Sequence, residues 1–194
     1  MTKTPGVISH WLPLAVATIG LCGLVYVTVH QNYRQSLNDP QIQIAEDGAA
    51  ALAAGKQPAE IVNRGSLIDA GKSLAPFIAV YDAKGTTLEA SGLVNGKPPK
   101  PPVGVFDHAK QWGENRVTWQ PDPTTRIALV VVPVNDSRGY FVASGRNMRE
   151  VEARTDKLTQ MISLALVTIL IATFILELFG DYARKQAMKQ AKNA

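Results

Sequence analysis

Two uninterrupted apolar runs dominate the pattern of hydrophobic and polar positions along the chain. One extends from Trp11 to Val29 and the other from Leu158 to Leu176, and neither contains a charged residue. Each run is nineteen residues long. A helix of that length spans roughly 28 Å, close to the thickness of a bilayer's hydrocarbon core. The pattern therefore predicts two transmembrane helices, at residues 11–30 and 158–179.

The first run has a second interpretation, because it follows a short segment that contains Lys3 and so resembles a signal peptide. Two details favour an uncleaved anchor. The run is longer than a usual signal core, and residues 30–34 after it lack the small residues found at cleavage sites. We therefore expect residues 11–30 to remain as an anchor, with cleavage as the alternative.

Basic residues near the membrane predict the orientation. The segment 180–194 has four basic residues and one acidic residue, a net charge of +3: Arg184, Lys185, Lys189, Lys192 and Asp181. Short basic tails stay in the cytoplasm. We therefore predict a two-pass protein of the cell membrane, with residues 1–10 and 180–194 in the cytoplasm and residues 31–146 outside. Four basic residues just before the second run weigh against this orientation, and these are Arg146, Arg149, Arg154 and Lys157.

The segment between the two runs indicates one nearly neutral domain without disulfides. Residues 31–157 contain fifteen basic and fourteen acidic residues, so we expect no nucleic acid as a partner. The two predicted spans and the basic tail make membrane lipid the expected partner. The single Cys22 lies in the first run, and His108 is the only histidine of residues 31–157. Neither a disulfide nor a metal site is therefore predicted. No set of nucleophile, base and stabiliser can be assembled, so we expect no catalytic residues, no cofactor and no enzymatic activity.

The residues from 31 to 146 contain the periodicities of helices and strands in a definite order. An amphipathic helix ended by Gly55 is predicted by apolar residues at intervals of three and four, namely Ile42, Ala45, Ala49 and Leu52. A short helical turn is predicted from Pro58. Five strands are predicted at residues 76–82, 86–91, 116–120, 126–134 and 139–144, with the first two joined as a hairpin by the turn at 83–85. Residues 96–102 are predicted to be extended because of their prolines, and residues 103–112 to be a helix closed by Gly113. This order predicts an α+β fold, with a mostly antiparallel five-stranded sheet, N-terminal helices and helices on one face of the sheet.

Short phrases along the chain carry a resemblance to a known family. They are Asn38–Asp47, Phe77–Gly85, Ala90–Gly92, Gly96–Pro102 and Ser144–Glu152. These phrases and the order of elements resemble the input region of bacterial membrane sensor histidine kinases, whose extracytoplasmic domains are PAS-like or Cache-like. In such kinases the second span leads into a HAMP relay, a histidine-bearing helix and an ATP-binding domain. Residues 180–194 contain no histidine and are too short to fold around ATP. The resemblance therefore implies an input module and not kinase activity.

A segment joining the domain to the second run has the pattern of a helical seam. Residues 147–157 contain no proline or glycine, which predicts a juxtamembrane helix that continues into the span. Positions at intervals of three and four predict a seam for a parallel dimer, and these are Met148, Val151, Thr155, Leu158 and Ile162. The partner would be a second copy or a sensor kinase. The alternative is a helix that merely approaches the membrane, since a threonine fits such a seam poorly.

The resemblance also implies where a ligand would bind. In PAS-like and Cache-like folds the pocket lies between the sheet and the segment that crosses it, here residues 97–113. The candidate ligand-binding residues are Tyr81, Phe106, Trp112, Trp119, Arg126 and Tyr140. An arginine with aromatic neighbours would suit a small carboxylate. The alternative is that these are ordinary core and surface residues.

Functions of different classes remain open at this point. One is a sensor-like membrane protein, without its own catalytic domain, that modulates a signalling partner through its second transmembrane helix. Another is a structural or assembly protein that docks a cell-envelope partner. A third is the remnant of a kinase whose catalytic half is lost or separately encoded. The ligand, the signal and the partner cannot be named from the sequence.

Overall fold

The computed structural model describes residues 6–63, 65 and 67–193. The predicted cytoplasmic residues 1–5 and residue 194 lie outside this description. The elements in chain order are α1 (Val7–Ala53), α2 (Pro58–Ile61), β1 (Ile68–Asp69), β2 (Phe77–Tyr81), β3 (Thr87–Ala90), β4 (Gly92–Leu93), α3 (Val103–Trp112), β5 (Asn115–Asp122), β6 (Thr125–Pro133), β7 (Phe141–Asn147) and α4 (Arg149–Asn193). The chain divides into two compact units, one of residues 1–31 with 155–194 and one of residues 32–154.

The first unit contains the apolar stretches of α1 and α4 and also the polar end of α4. Both helices are long and apolar enough to cross a membrane, and almost none of their apolar stretch is buried. The indole N–H of Trp11 donates to Thr173 Oγ1 at 3.1 Å, and its ring packs edge-on against Phe174 at 5.3 Å between centroids. Tyr26 and Ile162 line one small cavity near the other end. The two apolar helices therefore lie side by side and antiparallel.

The second unit is built on a five-stranded sheet with the order β3-β2-β7-β6-β5. Every neighbouring pair in it is antiparallel, which confirms the predicted α+β class and the five-stranded antiparallel sheet. A separate parallel pair, β1 with β4, was not predicted. Its strands have two residues each, too few to produce a periodicity.

Helices cover both faces of this sheet. On one face Phe106 and Ala109 of α3 pack in a cluster with Leu129. On the other face Leu52 of α1 packs in a cluster with Val142. The prediction of helices on one face only is therefore wrong. A strand covered on both faces has a continuous apolar sequence without alternation. Residues 127–131 of β6 have such a sequence, and all of them are buried.

Several predicted boundaries also differ from those observed. The predicted helix at residues 42–52 is the end of the single helix α1, since Pro40 removes a hydrogen bond without ending the helix. Strand β7 ends at Asn147 and not at residue 144, because Arg146 and Asn147 still pair with β6. Helix α4 starts at Arg149 and contains most of the predicted juxtamembrane helix, the second span and the tail. Helix α3 matches its predicted bounds, and Gly113 ends it with φ of 84°.

The predicted turn between β2 and β3 is confirmed and is held by Asp82. Its Oδ1 accepts hydrogen bonds from the N–H groups of Thr86 at 2.8 Å and Lys84 at 2.9 Å. Gly85 has φ of 77°, and a Cβ added there would lie 2.8 Å from the ring of Phe106. The backbone N–H of Thr86 contributes most to lowering the pKa of Asp82 below its ordinary value.

We predict that the stabilising effect of Asp82 depends on pH. Since the folded-state pKa is depressed, its contribution is complete above the ordinary pKa of 3.8 and is lost as pH falls through the folded-state value. Asp82→Asn should therefore melt below the wild type at pH 7, and the difference should shrink toward pH 3. Melting curves followed by circular dichroism test this, and a gap that widens on acidification would contradict it.

The ring of Phe77 packs against two glycines in the core. A Cβ added to Gly145 would lie 2.5 Å from Phe77 Cζ, and one added to Gly92 would lie 2.5 Å from Phe77 Cγ. Phe77 is 1% exposed, so its ring is enclosed in the core. The two glycines therefore give the ring its place between β7 and β4.

We predict that Gly145→Ala lowers the free energy of unfolding by about 1–3 kcal/mol, because it overpacks the site of Phe77. Gly104→Ala is the matched control. A Cβ at Gly104 meets nothing within 4 Å, and alanine inside α3 should raise stability by about 0.5–1 kcal/mol. Chemical denaturation in detergent measures both variants. Equal stability of the two would show that the ring does not fill this space.

Candidate functional site at the junction of β7 and α4

Only Met148 separates the last strand from the C-terminal helix. Its side chain is buried in a cluster with Ala128, and Val151 packs against both. Its N–H donates to the carbonyl of Arg126 at 2.9 Å, and its own carbonyl accepts from the N–H of Glu152 at 2.9 Å. The start of α4 is therefore seated on the sheet by apolar packing and by backbone hydrogen bonds.

Asn147 bonds simultaneously to the start of α4 and to a distant loop. Its Oδ1 accepts a hydrogen bond from the N–H of Arg149 at 2.8 Å. Its Nδ2 donates to the carbonyl of Ala70 at 2.7 Å and, more weakly, to that of Gly71 at 3.3 Å. Asn147 is only 5% exposed, and both ends of its amide are satisfied. One buried side chain therefore fixes the helix start and the loop together.

Two arginines also donate hydrogen bonds to carbonyls of the same loop. The guanidinium of Arg146 donates from Nε to the carbonyl of Leu74 at 2.8 Å, and Arg149 Nη2 donates to the carbonyl of Lys72 at 3.3 Å. We call Arg146, Asn147 and Arg149, with the carbonyls of residues 70–74 that they bind, the clamp. Each hydrogen bond contributes about 0.5–1.5 kcal/mol, and those from charged donors more.

The clamp is connected to the small parallel pair of strands. The N–H of Ala70 donates to the carbonyl of Leu93 at 2.8 Å, and the N–H of Ile68 donates to the carbonyl of Ser91 at 2.8 Å. Ala70, whose carbonyl is bound by Asn147, is therefore hydrogen-bonded in both directions. The chain that leads out of β4 is linked in this way to the start of α4.

Charged side chains of the first turns of α4 are paired. Arg126 on β6 forms a short ion pair with Glu152, and Glu150 pairs with Arg154 at 2.9 Å. Acidic residues in the first turn of a helix also interact favourably with its dipole. Because these side chains are substantially exposed, each pair contributes at most about 1 kcal/mol. The guanidinium of Arg126, a predicted ligand contact, is thus directed to α4.

Of the six predicted ligand-binding residues, the structure brings Tyr81 and Phe106 together, in the core. Their rings lie 4.9 Å apart, and the hydroxyl of Tyr81 donates to the carbonyl of Pro99 at 3.1 Å. Burial raises the pKa of Tyr81 well above its ordinary value, so it acts as a neutral donor. Phe106 also packs against Phe141 at 5.3 Å. Both residues fasten the crossing segment onto the sheet.

The other predicted ligand residues are dispersed. Trp112 is 68% exposed at the end of α3, and Trp119 is partly buried on β5. Tyr140 lies on the opposite face of the sheet, where the guanidinium of Arg138 lies 5.1 Å from its ring centre. The structure therefore does not gather these side chains with Arg126 around one ligand.

The predicted seam residues make their described contacts within one chain. Met148 and Val151 belong to the apolar cluster on β6. Thr155, Leu158 and Ile162 line a small cavity with Tyr26 of α1, inside the apolar unit. Dimerisation along this seam stays a prediction.

Comparisons with known proteins leave the family open. No protein-family model matches the chain, and no curated protein sequence matches it. The resemblance to sensor-kinase input regions therefore stays a prediction. Within residues 6–63, 65 and 67–193, no group of three or more histidine, cysteine, aspartate or glutamate side chains is placed to hold a metal ion.

We predict that Asn147→Ala loosens the loop and the helix start together. It removes a buried donor and the acceptor for the N–H of Arg149, so the free energy of unfolding should fall by about 1–3 kcal/mol. Hydrogen exchange of the peptide covering residues 69–76 should accelerate at least tenfold. Asn63→Ala is the matched control, because Asn63 also accepts a backbone N–H, that of Gly65 at 2.9 Å, but is exposed. Unchanged exchange at residues 69–76 would contradict the role given to Asn147.

Proposed function

We propose that the chain is a membrane-anchored, extracytoplasmic sensor-like module that modulates a signalling partner through α4. The observation that carries this proposal is the clamp, in which side chains at the end of β7 and the start of α4 bind the loop of residues 70–74. A movement of that loop or of the β1–β4 pair changes the bonds that hold the start of α4.

The energy of the clamp fits a switch between two states. Its hydrogen bonds from Arg146, Asn147 and Arg149 contribute about 0.5–3 kcal/mol each. The difference between a formed and a broken clamp is therefore a few kcal/mol. Differences of this size separate the two populated conformations of a switchable protein.

The position of β7 in the sheet supports the same proposal. It lies between β2 and β6, in the centre of the five strands, so displacements on either side of the sheet act on it. Helix α4 then runs without interruption from Arg149 to Asn193. A helix transmits rotation or translation along its axis better than a flexible linker does. We propose that it acts on a second copy or on a sensor kinase, since the apolar stretch of α4 is exposed for packing against another helix.

The experiment is disulfide crosslinking along α4 in membranes. Single cysteines replace Val151, Thr155, Leu158 or Ile162 in a Cys22→Ser background, and Ala153 and Lys157, which are exposed, are the matched control positions. Crosslinks should form at the first set more than at the controls. Asn147→Ala should change the yields at least threefold, because it opens the clamp.

Two outcomes would contradict the proposal. Absence of crosslinks from all four positions, to a second copy or to another protein, would exclude a partner along this face of α4. Yields that are the same with and without Asn147→Ala would exclude transmission from the clamp. If these positions give no crosslinks but a cysteine introduced at an exposed position of residues 32–146 does, the result would favour the alternative, a structural or assembly protein that docks a cell-envelope partner.

A further inference from the structure

A groove of about 450 Å³ lies beside the edge strand β5, apart from the clamp. It is lined by the segment that leaves β4 and by β5 itself, including Lys97, Lys100, Trp119 and Gln120. This volume is in the range of small-molecule sites. Polar and charged groups line it together with one large aromatic ring.

One wall of the groove is a rigid arm, which we define as residues 94–102. It starts with a tight turn in which Asn95 and Gly96 have φ of 52° and 73°, as a two-residue turn with both central residues at positive φ requires. Val94 and Lys97 close it with two backbone hydrogen bonds of 2.7 and 3.1 Å. The prolines that follow restrict φ, so little conformational entropy is lost when a ligand binds the arm.

The arm is fastened to the sheet through Pro99. This proline is fully buried, and its carbonyl accepts hydrogen bonds from the hydroxyls of Tyr81 at 3.1 Å and Thr87 at 2.9 Å. The inner side of the arm is thus packed in the core. Lys97, Pro98 and Lys100 remain exposed.

The two lysines form a spaced pair of cationic groups. They are three residues apart in the sequence, and both line the groove. Neither takes part in an ion pair with another described residue. Their charges are therefore available to an anionic ligand.

The carboxylate of Asp122, which accepts a hydrogen bond from the groove residue Asn95, is also bound by its own turn. Its Oδ1 accepts from the hydroxyl of Thr124 at 2.7 Å and from the N–H groups of Thr124 and Thr125 at 2.9 Å. Its Oδ2 accepts from Asn95 Nδ2 at 3.2 Å. The side chain of Thr124 contributes most to lowering the pKa of Asp122 below its ordinary value. Asp122 therefore joins the β5–β6 turn to the arm, and the groove keeps an excess of positive charge.

Trp119 supplies the apolar surface. Trp119 packs against the core cluster and also lines the groove. An anchored aromatic ring of this kind binds flat rings by stacking. Gln120, the next residue, is exposed at the groove and offers an amide that can donate or accept a hydrogen bond.

We propose that this groove binds a ring compound that carries two carboxylates. Lys97 and Lys100 pair with the carboxylates, and Trp119 packs against the ring. Aromatic dicarboxylic acids and acidic sugars share this chemistry. This proposal does not depend on signalling through α4. Ligand binding to the groove is measured directly, and the crosslinking of α4 is measured without any ligand, so either proposal can fail alone.

Isothermal titration calorimetry of the full chain in an uncharged detergent tests this inference. The probes are terephthalate and digalacturonate, and their controls are the uncharged terephthalamide and cellobiose. At low salt, at least one dicarboxylate should bind at least tenfold more tightly than its uncharged control. Binding of terephthalate would indicate an aromatic ligand, and binding of digalacturonate would indicate an acidic sugar. Binding should weaken as salt rises, because exposed charges are screened.

Variants separate a specific site from general charge. Lys97→Ala with Lys100→Ala should weaken binding at least tenfold, and Trp119→Leu should weaken it as well. Lys84→Ala with Lys110→Ala removes the same charge from exposed positions of the same domain and should change affinity less than twofold. The inference is overturned if neither dicarboxylate binds the wild type, or if the two double variants weaken binding equally.

Discussion

The amide of Asn147 connects three parts of the domain that are far apart in the sequence. It lies at the end of the central strand β7, bonds the first N–H of α4, and binds the carbonyl of Ala70 across 77 residues of chain. A buried amide that lost one of these partners would leave a polar group unsatisfied at a cost of about 1–3 kcal/mol. The loop, the strand and the helix start are therefore held in one arrangement. A displacement of any of them disturbs the hydrogen bonds that hold the other two.

The burial of the sheet on both faces makes that arrangement rigid. Leu129 and Val131 point to the cluster under α3, while Val80 and Val142 point to the cluster under α1. Each such side chain contributes about 1.5–3 kcal/mol on burial. A strand packed on both sides cannot bend freely, so motion of β7 is transferred to its ends. Gly145 adds to this, because the ring of Phe77 occupies the space that a side chain there would fill.

The sequence predicted the elements with strong local signals and missed those that depend on distant partners. Helix α3 and its end at Gly113 were predicted because glycine takes positive φ readily, and the turn at Asp82 was predicted from turn chemistry. The pair β1–β4 was missed because it is too short for a pattern. The clamp could not be predicted from the sequence either. Its acceptors are backbone carbonyls, which every residue has, so no residue type marks them. The continuous apolar run of β6 is typical of a strand covered on both faces, but the run alone does not show which elements cover it.

The two-sided bonding of Ala70 has a thermodynamic consequence. Its N–H is held by Leu93 on the side of the arm, and its carbonyl is held by Asn147 on the side of α4. Linkage between two binding events is reciprocal, so an influence that passes in one direction also passes in the other with the same free energy. A partner that steadies α4 would thereby change the affinity of the arm for whatever it binds. Under the proposed function, a ligand bound by the arm would likewise change the affinity of α4 for its partner.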